Sequence, residues 1–143
     1  QLMILNNSVK KLENFESFDL IVYCRDDIFI KPRKFLKPIK KVIKNSIILP
    51  GFHWHKGFND RFLIAPPILA KKWAMRIELL HEFYRVEKKL TGEKLVKFCL
   101  QKNKVNIMAL PKIFPRVRQN NRFVYEKNPF SLNRPKEFLE IRN

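Results

Sequence analysis

The feature that most limits the fold is an apolar run, Phe18-Asp19-Leu20-Ile21-Val22-Tyr23-Cys24, that ends abruptly in Arg25-Asp26-Asp27. Apart from Asp19 it is continuous and partly β-branched. That is the pattern of a strand covered on both faces, as strands of parallel sheets are. Open α/β sheets place their ligand sites beyond the carboxyl ends of strands. The run therefore predicts an α/β protein whose chemistry lies near residue 25.

The rest of the chain supplies elements to surround that strand. Leu2, Leu5, Val9 and Leu12 recur at helical spacing and predict a helix from residue 1 to about 14. Ser46 to Leu49 is a short strand stopped by Pro50-Gly51, a turn signal. His53 to Gly57 is a loop, and Arg61 to Ala65 a further strand. Pro66-Pro67 opens a long helix, because proline is tolerated in a first turn. Leu69, Trp73, Ile77, Leu80 and Tyr84 form its apolar face. Thr91-Gly92 breaks the run, with Thr91 as the N-cap of a second helix over about 93 to 102. Val105 to Leu110 is a strand. From Pro111 the chain is basic and rich in Pro and Asn. The expected organisation is a mixed sheet flanked by helices over residues 1–118, followed by a basic, irregular tail over 119–143.

Composition narrows the chemistry. The chain has 143 residues, 45% of them hydrophobic and 13 of them Phe, enough for one domain with a real core. Three glycines leave no Gly-rich phosphate loop. Cys24 and Cys99 are far apart and outside any CxxC pair, which argues against zinc and for buried thiols in a reducing compartment. No run of about 18 apolar residues and no secretory signal is visible. The expected location is the cytoplasm, with peripheral contact at an anionic membrane. The net charge of +17 draws polyanions of any kind. Since Lys comes with many Asn, Ile and Phe, it also fits an AT-rich coding bias. The chain starts at Gln1, and the expectation is that it was cut from a longer protein.

Five groups of residues could carry chemistry. Asp26 and Asp27 stand side by side at a strand end, where two carboxylates repel unless a cation joins them; Mg²⁺ and Mn²⁺ often bridge one or two carboxylates to substrate phosphates. The alternative is a charged turn with Arg25 paired to Asp26. Gly57-Phe58-Asn59-Asp60-Arg61-Phe62 sets a flexible glycine, an amide, a carboxylate and a guanidinium in one connection. Asn59 can bond hydroxyls both ways and Asp60 can act as a base; the alternative is an ordinary turn with Asp60 paired to Arg61. Glu93 opens a helix, where an acid is favourable to the dipole in any case. Arg116 and Arg118 alternate on an extended segment and could clamp phosphate oxygens, or belong to a solvated tail. His53, Trp54 and His55 could ligate a metal or stack on a sugar ring, or form a partly buried aromatic loop.

Taken in order, these pieces resemble GT-A-type glycosyltransferases. The segment Phe18 to Phe29 looks like that group's strand and acidic turn, with an Arg-x-Asp in place of the more familiar Asp-x-Asp. Gly57 to Phe62 resembles its Gly-x-Asn-Asp-Arg-Phe element. A long helix with Trp73 and Tyr84, the Glu93-Lys94-Leu95 helix, another strand and a closing Arg-Val-Arg at 116–118 come after it. The resemblance spans about residues 15 to 118. It implies a partial GT-A fold and transfer from a nucleotide-sugar donor to a glycan, lipid-linked or protein acceptor. It further implies Mn²⁺ or Mg²⁺ held by Asp27 with Asp26, and Arg25 and Arg118 beside the diphosphate. Asp60 or Glu93 would bind sugar hydroxyls or deprotonate the acceptor. Asn59, Arg61, Trp54 and Arg116 are the remaining substrate-binding candidates. Only about 18 residues precede the acidic-turn strand, so the base- and ribose-binding half of such a domain is expected to be missing. The strand is then an exposed edge or is completed by another copy, and self-association is expected. The rival reading is a nucleic-acid-binding module built on Lys31 to Lys44, which has seven basic residues and no acid, and on the tail from Lys112 to Arg122. A third is a non-catalytic basic domain on an anionic membrane surface.

Overall fold

The computed structural model describes residues 2–28, 46–52, 54, 56–110, 116–118, 122–124 and, for the backbone alone, 139–140. The fold is mixed α/β. Helix α1 (Leu2–Lys11) leads into a 3₁₀ turn at Phe15–Ser17 and strand β1 (Ile21–Cys24). Strands β2 (Ser46–Pro50) and β3 (Phe62–Ala65) come next, then helix α2 (Pro67–Ala74), a 3₁₀ stretch at Met75–Leu79 and helix α3 (Leu80–Glu87). Helix α4 (Gly92–Lys102) and strand β4 (Asn106–Leu110) succeed them, and the described residues beyond include the two-residue strands β5 (Arg116–Val117), β6 (Phe123–Val124) and β7 (Leu139–Glu140).

Among the described residues, five strands form one sheet in the order β1-β3-β2-β4-β7. β3 is antiparallel to both β1 and β2, whereas β2 runs parallel to β4 and β4 to β7. β5 and β6 make a separate antiparallel pair. One face of the main sheet, carrying Ile47, Leu49, Leu63 and Ala65, packs against the helices through Leu69, Trp73, Val96 and Leu100. The opposite face gathers Ile48, Phe62, Ile64 and Leu110 with Ile28 and Phe52. Burying each such side chain contributes roughly 1.5–3 kcal/mol. β2 lies between β3 and β4 and is buried at every residue.

Several expectations change. The strand covered on both faces, with a parallel neighbour on one side, is β2, not the run before Arg25. β1 starts only at Ile21, pairs antiparallel with β3, and ends the order of the described strands. Phe18 and Val22 are more than half exposed, because β1 packs Ile21 and Tyr23 on the helix side and leaves Val22 on an open side. The first helix stops at Lys11, so Leu12 falls past its end and is exposed while Leu5 and Val9 face the core. The long helix after Pro66-Pro67 is broken by the 3₁₀ stretch. Fewer residues per turn there shift the phase, so Phe83 is fully buried and Tyr84 is 54% exposed. Nor is the segment after 118 irregular throughout: Phe123–Val124 pairs with Arg116–Val117, and Leu139–Glu140 extends the main sheet. Among the described residues, no helix is long and apolar enough to cross a membrane.

Candidate functional site

Past Cys24, the β1–β3 pairing continues for one more residue. The Arg25 N–H donates to the Arg61 carbonyl at 2.9 Å, which joins the acidic turn to the Asn59–Arg61 turn. The Arg25 guanidinium forks onto Asp27, with Nε donating to Oδ1 at 3.0 Å and Nη2 to Oδ2 at 2.9 Å. Such bidentate pairs are directional and strong for their class. The alternative pairing of Arg25 with Asp26 is therefore corrected. Arg25 to Ile28 form a turn closed by Ile28 N–H donating to the Arg25 carbonyl at 3.2 Å, within which Asp27 meets Arg25 while Asp26 is exposed. Burial, then the fields of Asp27 and Asp26, push the neighbouring Cys24 thiol up, so it stays protonated and is no nucleophile at neutral pH.

The closing Arg-Val-Arg segment docks on the same turn. Val117 N–H donates to the Asp27 carbonyl at 2.8 Å, and Arg116 bridges antiparallel to Ile28. Arg118 N–H donates to Arg122 O at 3.1 Å across the β5–β6 pair. Arg116 is half-buried and Arg118 exposed.

On the other side of Arg61 the turn is held by Asn59, which is buried. Its Nδ2 donates to Phe52 O at 2.9 Å and its Oδ1 accepts from Arg61 N–H at 2.9 Å. Both ends of the amide are engaged inside the protein. Asn59 thus shapes the turn that presents Asp60 and Arg61, and the direct hydroxyl contact expected of it is corrected. Trp54 is corrected too. At 2% exposure it donates Nε1–H to Pro50 O at 2.6 Å and meets Phe58 edge-on, so no ring face is open to a sugar. Its neighbours His53 and His55 lie outside the described residues, as do Lys31 to Lys44 and Phe114-Pro115.

Asp60 is brought to the start of α4. A Cβ on Gly92 would stand 3.0 Å from Asp60 Oδ2, so the missing side chain lets the helix meet the carboxylate. A helix N-terminus favours that negative charge. Thr91 has the extended backbone of an N-cap but makes no side-chain cap bond, and its buried Oγ1 has no hydrogen-bond partner. Glu93 sits in the first turn, half-buried, and its carbonyl accepts from Phe58 N–H at 2.8 Å.

One residue of this neighbourhood was missed from sequence. Arg76 is 3% exposed, lies 4.0 Å over the Trp73 ring and donates Nη1 to Trp73 O at 2.8 Å. Burial lowers its basicity, and the field of Asp60 is the largest influence opposing that. Its Nε and Trp73 Nε1 are buried without hydrogen-bond partners. The available signal was its place three residues after Trp73, on the helix face that Leu69 and Trp73 share.

For a metal, the turn offers Asp26 and Asp27. Among the described residues there is no group of three or more His, Cys, Asp and Glu able to hold an ion. Two adjacent carboxylates, one of them shared with Arg25, suit a cation that takes its other ligands from phosphate and water, and no richer protein cage.

No protein-family model, no curated protein and no solved structure matches the chain.

Proposed function

We propose that the chain carries the catalytic site of a GT-A-type glycosyltransferase, moving a sugar from a nucleotide-sugar donor to an acceptor hydroxyl. One observation carries the reading. Segments far apart in sequence, Arg25–Asp27, Asn59–Arg61, Gly92-Glu93 and Arg116–Val117, are linked by successive contacts beyond the carboxyl end of β1. A charged turn with no function needs only its own Arg25–Asp27 pair.

On this reading Asp27 and Asp26 would hold Mn²⁺ or Mg²⁺, and the ion would supply Lewis-acid stabilisation of the departing diphosphate. Arg25, with Arg116 and Arg118 from the docked β5 segment, adds positive charge on the same side. Arg61 borders the turn. Asp60, on the side facing α4, accepts a hydrogen bond from a sugar or acceptor hydroxyl and is positioned to take its proton, with Glu93 adjacent. The buried Arg76 guanidinium lies within the field of Asp60 and adds a second cation to this neighbourhood.

The test is thermal unfolding with a panel of nucleoside diphosphates, with and without Mn²⁺. A ligand at a hundred times its Kd stabilises by about 2.7 kcal/mol, a shift of several degrees. We expect such a shift to require Mn²⁺ and to vanish in Asp27→Asn. A Mn²⁺-dependent shift that survives this substitution overturns the assignment of the acidic turn.

A further inference from the structure

A second concave site lies one residue beyond Glu93. Lys94, Lys97, Phe98 and Gln101 share a face of α4, and with Lys56 and Glu87 they line a cavity of about 230 Å³. That is below the ~300–1,000 Å³ of sites for drug-sized ligands, and suits one small anionic group with part of its carrier. Three ammonium groups face one carboxylate, and that carboxylate, Glu87, is already tied to Lys94. Among the described residues, Lys56 and Lys97 have no acidic partner.

Two observations set this apart from a generally basic surface. Lys56 is held with φ at 68°, a left-handed backbone that a non-glycine residue adopts at a cost. The strap that holds it is fixed to α4: a Cβ on Gly57 would fall 2.1 Å from the Glu93 carbonyl, and Phe58 N–H donates to that same carbonyl. The backbone of Lys56 is therefore carried at a fixed place over the α4 face that bears Lys94 and Lys97. Phe98, edge-on to Phe83 at 5.6 Å, gives the cavity an apolar wall beside the charges.

We propose that this cavity binds a phosphate group carried by the acceptor, a phosphorylated sugar or glycan. The acceptor assignment rests on the transferase reading of Asp60 and Glu93; binding of phosphate does not. Successive contacts connect the two sites. The acidic turn joins Arg61, Asp60 meets Gly92, and Glu93 is followed by Lys94. An acceptor anchored by its phosphate in the lysine cavity directs a hydroxyl back toward Asp60, away from the donor's diphosphate. A nucleic acid backbone calls for an extended charged groove with stacking platforms, whereas this is a single hollow.

The test is a titration of the 143-residue chain with inorganic phosphate and a hexose phosphate, monitored by amide NMR shifts. We expect saturable shifts at Gly57, Lys94 and Lys97, weakened roughly tenfold or more in Lys56→Gln/Lys97→Gln. Lys11→Gln/Lys89→Gln, which removes the same charge from exposed positions elsewhere, should leave them unchanged. Equal weakening in that control, or no saturation, overturns the site. Displacement of the hexose phosphate by a mixed single-stranded oligonucleotide reassigns it to nucleic acid and overturns the proposal. Nucleoside diphosphate binding with Mn²⁺ should be intact in Lys56→Gln/Lys97→Gln; its parallel loss places the cavity in the donor site and overturns the acceptor assignment. Phosphate binding in a wild type that takes no nucleoside diphosphate sinks the transferase reading and that assignment together, and leaves the phosphate site standing.

Discussion

Gly57 shows how one residue position is decided by packing. In sequence it reads as a flexible hinge before Asn59 and Asp60. Its φ is not in the left-handed region, so freedom of the backbone is not the reason for it. An added Cβ would lie 2.1 Å from both the carbonyl carbon and the oxygen of Glu93, backbone atoms that cannot rotate aside. Gly57→Ala should therefore cost about 3 kcal/mol or more, read as a lower urea midpoint. Gly92→Ala meets only the far end of the Asp60 side chain, and alanine is the better helix former. It should change stability by less than about 1 kcal/mol while moving the Asp60 carboxylate. Equal losses for the two glycines would show that the Gly57–Glu93 contact is not the tight one. Asn59 and Trp54 are decided in the same way. Their chemistry was legible as sugar-binding, but an amide bonded at both ends and a buried indole are occupied by their own chain.

At the scale of elements, the decisive feature is the break between α2 and α3. A continuous helix from Pro67 would place Leu69, Trp73, Ile77, Leu80 and Tyr84 in one stripe. The 3₁₀ stretch at Met75–Leu79 rotates α3 relative to α2, and Lys88, left-handed at φ 55°, ends α3 by donating to Tyr84 O at 3.0 Å. Phe83 then lies fully buried against Phe98. Phe83→Ala should destabilise by about 3–5 kcal/mol, and Tyr84→Ala by less than about 1 kcal/mol, in chemical unfolding. The reverse ranking would restore the uninterrupted helix. Periodicity found these helices because apolar spacing is local. It missed the phase slip because nothing in 75–79 but the packing of Arg76 on Trp73 marks it.

At the scale of the whole molecule, β1 is the element that bears on assembly. Among the described strands it has one neighbour, β3, and Val22 and Phe18 stand 53% and 55% exposed beside it. An apolar edge strand is a template for another chain, and it works here against a net charge of +17 that keeps copies apart. We expect the chain to self-associate in sedimentation, more at high salt, where charge repulsion is screened. Val22→Lys should return it to monomer, since a charge on an edge blocks pairing. A wild type that is monomeric at every salt and protein concentration tested would show that the edge is not available.

The sequence by itself determined the strand ending in Arg25-Asp26-Asp27, the proline-opened helix, the helix after Thr91 and the strand before Pro111, because each is written in local signals. Apolar runs, caps and turn residues act over a few positions, and those are the interactions a linear reading sees. Only the tertiary structure decided which strand is buried on both faces, since β1 and β2 are both apolar and their places in the sheet depend on partners far along the chain. It also decided that Asp27 rather than Asp26 takes Arg25, that Arg76 is a buried cation within the field of Asp60, and that Lys56 stands over the α4 lysines. Each is a contact between segments whose relative position is set by packing the helices on the sheet, and no short-range pattern encodes that distance.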